Sequence, residues 1–259
     1  MELAEALRSL NRNERILILS SLILIAALSW AYLFYLAAVM GDMDAMPGMA
    51  SMQPVLAQWT PGEALAMFVM WAVMMAAMML PSALPMILLH AALKARTGGG
   101  AVAYTGRFTL GYIVVWCAFS AAATTAQWAL EQAALLSPMM VASSALLGGG
   151  LLIVAGIYQM TPYKNRCLSH CRSPAHFLAD HRHPGGFGAF RTGVEHGLYC
   201  LGCCWAVMLL LFVGGVMNLL WIAALAAFVL IEKVIPHGPA FGRASGVVMI
   251  VAGAWLILV

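Results

Sequence analysis

Charged residues are scarce in this sequence, and their scarcity limits what the protein can be. Only 9% of its 259 residues are Asp, Glu, Lys or Arg, whereas about a quarter are charged in a typical soluble domain. Hydrophobic residues make up 63%, compared with about half in soluble domains. The composition excludes a soluble globular fold. It predicts an all-α, polytopic bundle of transmembrane helices, a single domain over residues 1–259 whose first partner is the lipid bilayer.

Some familiar motifs are also missing. The sequence contains neither an ATP-binding motif nor the C-x-x-C-H pattern that attaches haem covalently. ATP-driven transport and covalently bound haem are therefore not expected. A cleavable signal peptide is not expected either, because the first apolar run is too long and no small-residue cleavage pattern follows it.

Long apolar runs recur along the whole chain, with short connections between them. A helix needs about 20 apolar residues to cross the hydrocarbon core of a bilayer. Seven runs approach or exceed this length and predict seven spans: residues 16–40, 64–84 (extending to 93), 108–130, 141–161, 193–214, 217–235 and 241–258.

The basic residues predict the orientation of these spans. All 13 Lys and Arg residues fall on one side of the seven-span arrangement, and the positive-inside rule assigns that side to the cytoplasm. The N-terminus is then cytoplasmic, and we expect a multi-pass protein of the bacterial inner membrane. Topology explains the net charge of +3, so the charge indicates no nucleic-acid partner.

A methionine-rich outer loop, residues 40–62, follows span one. Its methionines recur every third residue among Gly, Pro, Ser and two aspartates. Thioethers are soft, neutral ligands that favour Cu(I) over harder divalent ions, and a polar tether gives them nothing to pack against. The loop therefore predicts a collector of soft metal, with an interfacial low-complexity loop as the alternative; its ligands would be Met43, Met46, Met49 and Met52.

Span two carries a second group of methionines. Met67, Met70, Met74 and Met78 share a helix face, with Met75 and Met79 beside them. Methionine is also a common filler of apolar interiors, so packing is the alternative to metal binding here. We expect Pro81 and Pro85 to kink or break the helix just below Met79.

Span five holds the most distinctive chemistry, the stretch CLGCCWAVM at residues 200–208. His196, Cys200, Cys204 and Met208 follow one another at i+4 and make one ladder, and Cys203 flanks it. Three thiols within five apolar residues predict a mid-membrane site for a soft metal. We expect the glycines of this span to admit another helix, with span two as the neighbour.

A loop rich in Cys and His, residues 163–191, is predicted on the cytoplasmic side. Cys167, His170 and Cys171 suggest a metal site, although their spacing departs from that of zinc fingers. Three interpretations remain open: a structural zinc site, a docking or exit point for metal, and a basic loop near anionic lipid.

Several single residues are left mostly unassigned, although His90 and His237 could be haem ligands in an oxidoreductase. His90 and His237 are predicted at the inner interface, and Cys117 is predicted to pack. Glu232 and Lys233 are predicted to form a snorkelling pair at the inner end of span six, unless Glu232 faces the bundle.

Three motifs together resemble an uncharacterised bacterial family of predicted metal-binding integral membrane proteins. They are W-x2-M-M-x-A-M-M-x-P-S from Trp71 to Ser82, Y-x-x-T-P-x-K-x-x-C-L-x-x-C from Tyr158 to Cys171, and C-x-G-C-C-W from Cys200 to Trp205. The resemblance covers roughly spans two to six. It implies metal binding but names neither the metal nor an activity.

The sequence therefore predicts a protein that binds, transfers or transports Cu(I) through Met and Cys ligands, and we assign it no catalytic residue. A copper chaperone or a membrane cuproenzyme is the expected protein partner. One alternative is a membrane oxidoreductase with a fixed copper or haem centre. Another is an assembly partner whose only metal is structural zinc in the cytoplasmic loop.

Overall fold

The computed structural model describes residues 10–44, 59–98, 100–137, 140–181 and 183–259, without the side chains of residues 40–44. This part of the chain is all-helical, apart from an isolated bridge between Leu136 and Ala142. Its helices are α1 (Arg12–Asp44), α2 (Pro61–Ala95), α3 (Ala101–Gln132), α4 (Ala145–Gln159), α5 (Pro162–Arg172), α6 (Pro174–Asp180), α7 (Gly185–Met208), α8 (Leu211–Gly214), α9 (Leu219–Val234) and α10 (Gly238–Leu258).

Five segments of the described chain are long and apolar enough to cross a membrane. They are α1, α2, α3, α10 and the run Gly185–Gly214, which combines α7 and α8. α4 and α5 would make a sixth only as one span bent by 67°, and α9 has 16 residues. The prediction of a helical protein with several apolar helices is confirmed, whereas the count of seven spans stays a prediction.

The burial pattern places apolar side chains on the outside as well as the inside. Leu28, Val251 and Leu258 are more than half exposed on α1 and α10. The core lies instead around α2 and α7, whose cysteines and methionines are buried except for the partly buried Met67. An apolar exterior of this kind suits a lipid environment.

α2 starts sharply and then continues through both of its internal prolines. Thr60 and Glu63 form a reciprocal capping box, and Pro61 stands in the first turn, where proline costs no hydrogen bond. The helix does not break at Pro81 or Pro85. Two hydroxyl groups, those of Ser82 and Tyr112, donate to the Met79 carbonyl next to these prolines.

The glycines of α7 do admit a neighbouring helix, but the predicted neighbour was wrong. A Cβ added at Gly193 would lie 2.0 Å from the Phe108 carbonyl oxygen on α3. Gly197 faces Val115, also on α3. α3 therefore packs closely against Gly193 and Gly197, and Gly202 faces Cys167 of α5.

Two predicted loops have different boundaries in the structure. The predicted cytoplasmic loop, residues 163–191, is mostly helical and forms α5, α6 and the start of α7. α1 continues to Asp44 and α2 begins at Pro61, so both ends of the predicted outer loop are helical. Met46, Met49, Met52 and the side chain of Met43 lie outside the described residues.

Candidate soft-metal centre

The three cysteines of α7 lie at the centre of the helical core. Cys200, Cys203 and Cys204 are all fully buried. The Sγ atoms of Cys203 and Cys204 donate to the same acceptor, the Cys200 carbonyl, over 3.0 and 2.9 Å. This local bonding, to carbonyls three and four residues back, fixes where the two thiols point.

A methionine of α2 completes this group from the facing helix. The Cys204 Sγ lies 4.0 Å from the Met79 Sδ. The other span-two methionines that we predicted as ligands are also buried, each no more than 2% exposed: Met70, Met74, Met75 and Met78. Met208 lies buried one turn beyond Cys204.

The two cysteines of α5 join the same cluster. Cys171 lies close to the thiols of Cys200 and Cys203. Cys167 lies against Gly202, where an added Cβ would be 2.7 Å from its Sγ. Five of the six cysteines therefore converge, although the sequence suggested two separate sites.

His170 does not share this site with its neighbours in sequence. Its Nδ1–H donates to the Arg166 carbonyl over 2.8 Å, and its ring stacks on Tyr199 at 4.1 Å. In the described part of the chain, no group of three or more His, Cys, Asp and Glu side chains could hold a metal ion. Cys167, His170 and Cys171 form no such group, and neither do the three cysteines of α7. A soft-metal site on α7 therefore needs methionine among its ligands, and the structural zinc interpretation of the α5 residues gains no support.

Lys233 is the principal site residue that the sequence interpretation missed. Its Nζ donates to the Cys200 Sγ over 3.1 Å and to the Ser82 Oγ over 2.9 Å. The Tyr112 hydroxyl lies 3.2 Å from the same sulfur. Lys233 thus places a positive charge next to Cys200, which favours the thiolate form of that cysteine. The thiolate is the form of cysteine that binds metal.

The predicted snorkelling pair of Glu232 and Lys233 is wrong. Both side chains are buried, at 1% and 8% exposure, and they point to different neighbours. Glu232 forms an ion pair with Lys164 of α5. Adjacent residues of a helix project about 100° apart. Glu232 and Lys233 therefore contact different neighbouring helices.

His196, which we predicted as a ligand, lies among aromatic rings. It stacks on Phe108 at 5.9 Å and on Tyr112 at 5.6 Å. Its Nδ1 is buried and has no hydrogen-bond partner among the described residues. His90, which we predicted at the inner interface, is 3% exposed and stacks between Tyr104 and Phe108; its depth in the membrane stays a prediction.

The chemistry of this centre is that of sulfur and a buried cation. Thiol and thioether groups from α2, α5 and α7 lie close to one another, and Lys233 contacts one of them, Cys200. Such a donor set favours a soft monovalent ion over a hard divalent one. The thioether adds no charge and the lysine adds a positive one, so the net negative charge of the buried site stays small.

Comparison with known proteins supplies a family for this chain. Residues 68–256 match the family PpoB2, described as a copper chaperone. Comparisons with curated proteins and with solved structures gave no match. The matched segment includes all six cysteines and covers well over half of the sequence. The chain therefore belongs to the PpoB2 copper chaperone family.

Proposed function

We propose that this protein binds Cu(I) within a membrane and passes it to a protein partner. The observation that carries the proposal is the buried contact of Lys233 with Cys200, beside Cys204 and Met79. Charged side chains within an apolar bundle are costly and are usually functional. Membership of a copper chaperone family supports copper as the cargo.

Cys200 and Cys204 are the proposed primary ligands, with Met79 as a third. They lie one helical turn apart on α7, and their sulfur atoms suit Cu(I), which is stable with two or three sulfur ligands. Two thiolates and one Cu(I) carry a net charge of −1. Lys233 neutralises that charge, so the loaded site remains neutral in the apolar interior.

The cysteines of α5 offer a way out of this site by ligand exchange. Cys171 reaches the thiols of Cys200 and Cys203, so one sulfur can replace another without releasing the ion. A groove of about 410 Å³ then lies next to Cys167, lined also by His181, Glu195, Leu198 and Tyr199. In the predicted topology this groove is cytoplasmic, where a soluble copper chaperone has access.

The methionines are proposed to supply the site from the outer side. Met43, Met46, Met49 and Met52 would capture Cu(I) weakly, and the span-two methionines from Met67 to Met79 would pass it inward. Delivery to a membrane cuproenzyme is the other proposed destination. This route requires the predicted arrangement of a multi-pass inner-membrane protein with a cytoplasmic N-terminus.

Single Cys→Ser variants test the proposal. Cys200→Ser or Cys204→Ser should remove most Cu(I) from the purified protein, because each deletes a primary ligand, whereas Cys203→Ser should remove less. Cys117→Ser is the matched control, since Cys117 is the one cysteine outside the described cluster. Copper is measured by elemental analysis after loading under reducing conditions. Equal copper content in all four variants would contradict the proposed ligand set.

A further inference from the structure

Two methionine sulfurs converge on one buried amide at the end of the bundle where α2 begins and α3 ends. The Gln127 Nε2 donates to the Met140 Sδ over 3.3 Å and to the Met67 Sδ over 3.7 Å. Gln127 is fully buried. The two thioethers come from distant parts of the chain, one on α2 and the other between α3 and α4.

The orientation of this amide is fixed by its other partner. The Trp71 Nε1–H donates to the Gln127 Oε1 over 2.7 Å, and an indole N–H can only donate. The amide oxygen must therefore face Trp71, and the NH₂ group must face the sulfurs. The orientation follows from hydrogen-bond chemistry alone.

A carboxylate completes the group around the amide nitrogen. Gln127 Nε2 also donates to the Glu131 Oε1 over 2.8 Å, and Trp59 Nε1 donates to the other oxygen. Glu131 forms no ion pair within the described part of the chain. An NH₂ group has two hydrogens, but three acceptors surround this one: the Met67 sulfur, the Met140 sulfur and a Glu131 oxygen. One of the three acceptors therefore receives no hydrogen from Gln127.

The backbone at Met140 adds a second independent observation. Met140 has φ +55°, a left-handed conformation that non-glycine residues adopt rarely and at a cost in free energy. Ala134 in the same segment has the same φ. Met140 adopts this conformation with its sulfur pointing to Gln127.

We propose that Met67, Met140 and Glu131 form a second binding site for a soft monovalent cation, Cu(I) or its analogue Ag(I). The inference rests on the proposed copper function and extends it to the other end of α2. Two neutral thioethers and one carboxylate balance a single positive charge, which disfavours divalent ions. The Gln127 amide holds the three ligands together when no ion is bound.

The site leads directly to the methionines of α2. Met70 lies about one turn along the helix from Met67 and is buried, and Met74 follows on the same side. An ion received at Met67 and Met140 is therefore already on the face that continues to Met78, with Met79 beside it. This position makes the site a receiving point ahead of the thiol cluster.

Silver binding followed by methionine-methyl NMR tests the inference on the full-length protein in detergent. The methyl signals of Met67 and Met140, assigned from their Leu variants, should shift together on addition of Ag(I). Met249→Leu on α10 is the matched control and should leave both shifts in place. Glu131→Gln keeps the shape of the side chain but removes its charge, and should weaken Ag(I) binding at this site by about tenfold or more.

The Cys200→Ser/Cys204→Ser double variant separates this inference from the proposed function. If both methyl signals still shift in that variant, the methionine site binds independently of the thiols. If the wild-type thiols bind Ag(I) while neither methyl signal moves, the methionine site is refuted and the copper function stands. Shifts at Met67 and Met140 in a wild-type protein whose thiols bind nothing would uphold the methionine site and refute the thiol site.

Discussion

At the scale of single residues, the contact between Lys233 and Cys200 determines the chemistry of the core. An ammonium ion buried at 8% exposure needs partners, and its partners are a sulfur and a hydroxyl. The other buried charges, Lys164 and Glu232, neutralise each other. One positive charge therefore remains for the thiol cluster.

Lys233→Met should weaken Cu(I) binding by about tenfold or more, because the charge that balances two thiolates is lost. The measurement is a competition titration with a colorimetric Cu(I) chelator. Lys94→Met serves as the control, since Lys94 lies over the Tyr104 ring and away from the thiols. Unchanged affinity in a folded Lys233→Met protein would show that Lys233 does not balance the metal site.

The sequence was sufficient to find the cysteines but not their cation. Cys200 and Cys204 could be paired from helical spacing alone. Lys233 and Tyr112 belong to two other helices, and only the packing of those helices brings them to the same sulfur. The same limit applies to Met140, whose contact with Gln127 depends on a non-helical segment.

At the scale of helices, glycine holds α3 against α7. A Cβ added at Gly111 would lie 2.2 Å from the Phe190 carbonyl oxygen, which is far closer than two such atoms can approach. The close contact positions Tyr112, the next residue, beside Cys200. The site thus depends on the approach of two backbones as well as on its ligands.

Gly111→Ala should destabilise the protein by roughly 1–3 kcal/mol, because the backbones must separate to admit the methyl group. Gly106→Ala on the same helix is the matched control, since an added Cβ there meets nothing within 4 Å. The control should be neutral or slightly stabilising. Thermal unfolding in detergent measures both, and equal melting temperatures would contradict the role of Gly111.

The short helices α5 and α6 show why a polar segment is hard to interpret from sequence. Residues 163–191 lack the apolar periodicity that reveals longer helices. Thr161 nevertheless caps α5 through its side chain and Pro162 opens it, while Pro174 opens α6. These start signals are visible in the sequence, but the contact of Cys171 with α7 is not.

At the scale of the whole molecule, connectivity places the two ends of the helices consistently. The predicted topology puts the helix termini at Arg12, Ala95 and Ala101 on the cytoplasmic side and those at Pro61 and Gln132 on the other side, and the order of α1, α2 and α3 along the chain is consistent with that prediction. Composition was enough to predict apolar helices, because a segment in contact with lipid needs apolar side chains and must satisfy its backbone hydrogen bonds internally. The number of spans depends on α4, α5 and α9, whose lengths are not evident from hydropathy.

Reporter fusions test this arrangement. A fusion after Gly48 should report the outside and a fusion after Thr97 the cytoplasm, because the Lys and Arg residues cluster on the side of Thr97. A fusion at the C-terminus should report the outside if there are seven spans. The reverse pattern at Gly48 and Thr97 would overturn the direction proposed for copper transfer.

X-ray absorption at the copper edge of the loaded wild-type protein tests the central claim most directly. A centre made of Cys200, Cys204 and Met79 predicts Cu(I) surrounded by sulfur, with distances near the ~2.3 Å typical of metal–thiolate bonds. The same thiols should resist alkylation while copper is bound. Copper surrounded only by nitrogen or oxygen, with these cysteines freely alkylated, would contradict the thiol centre.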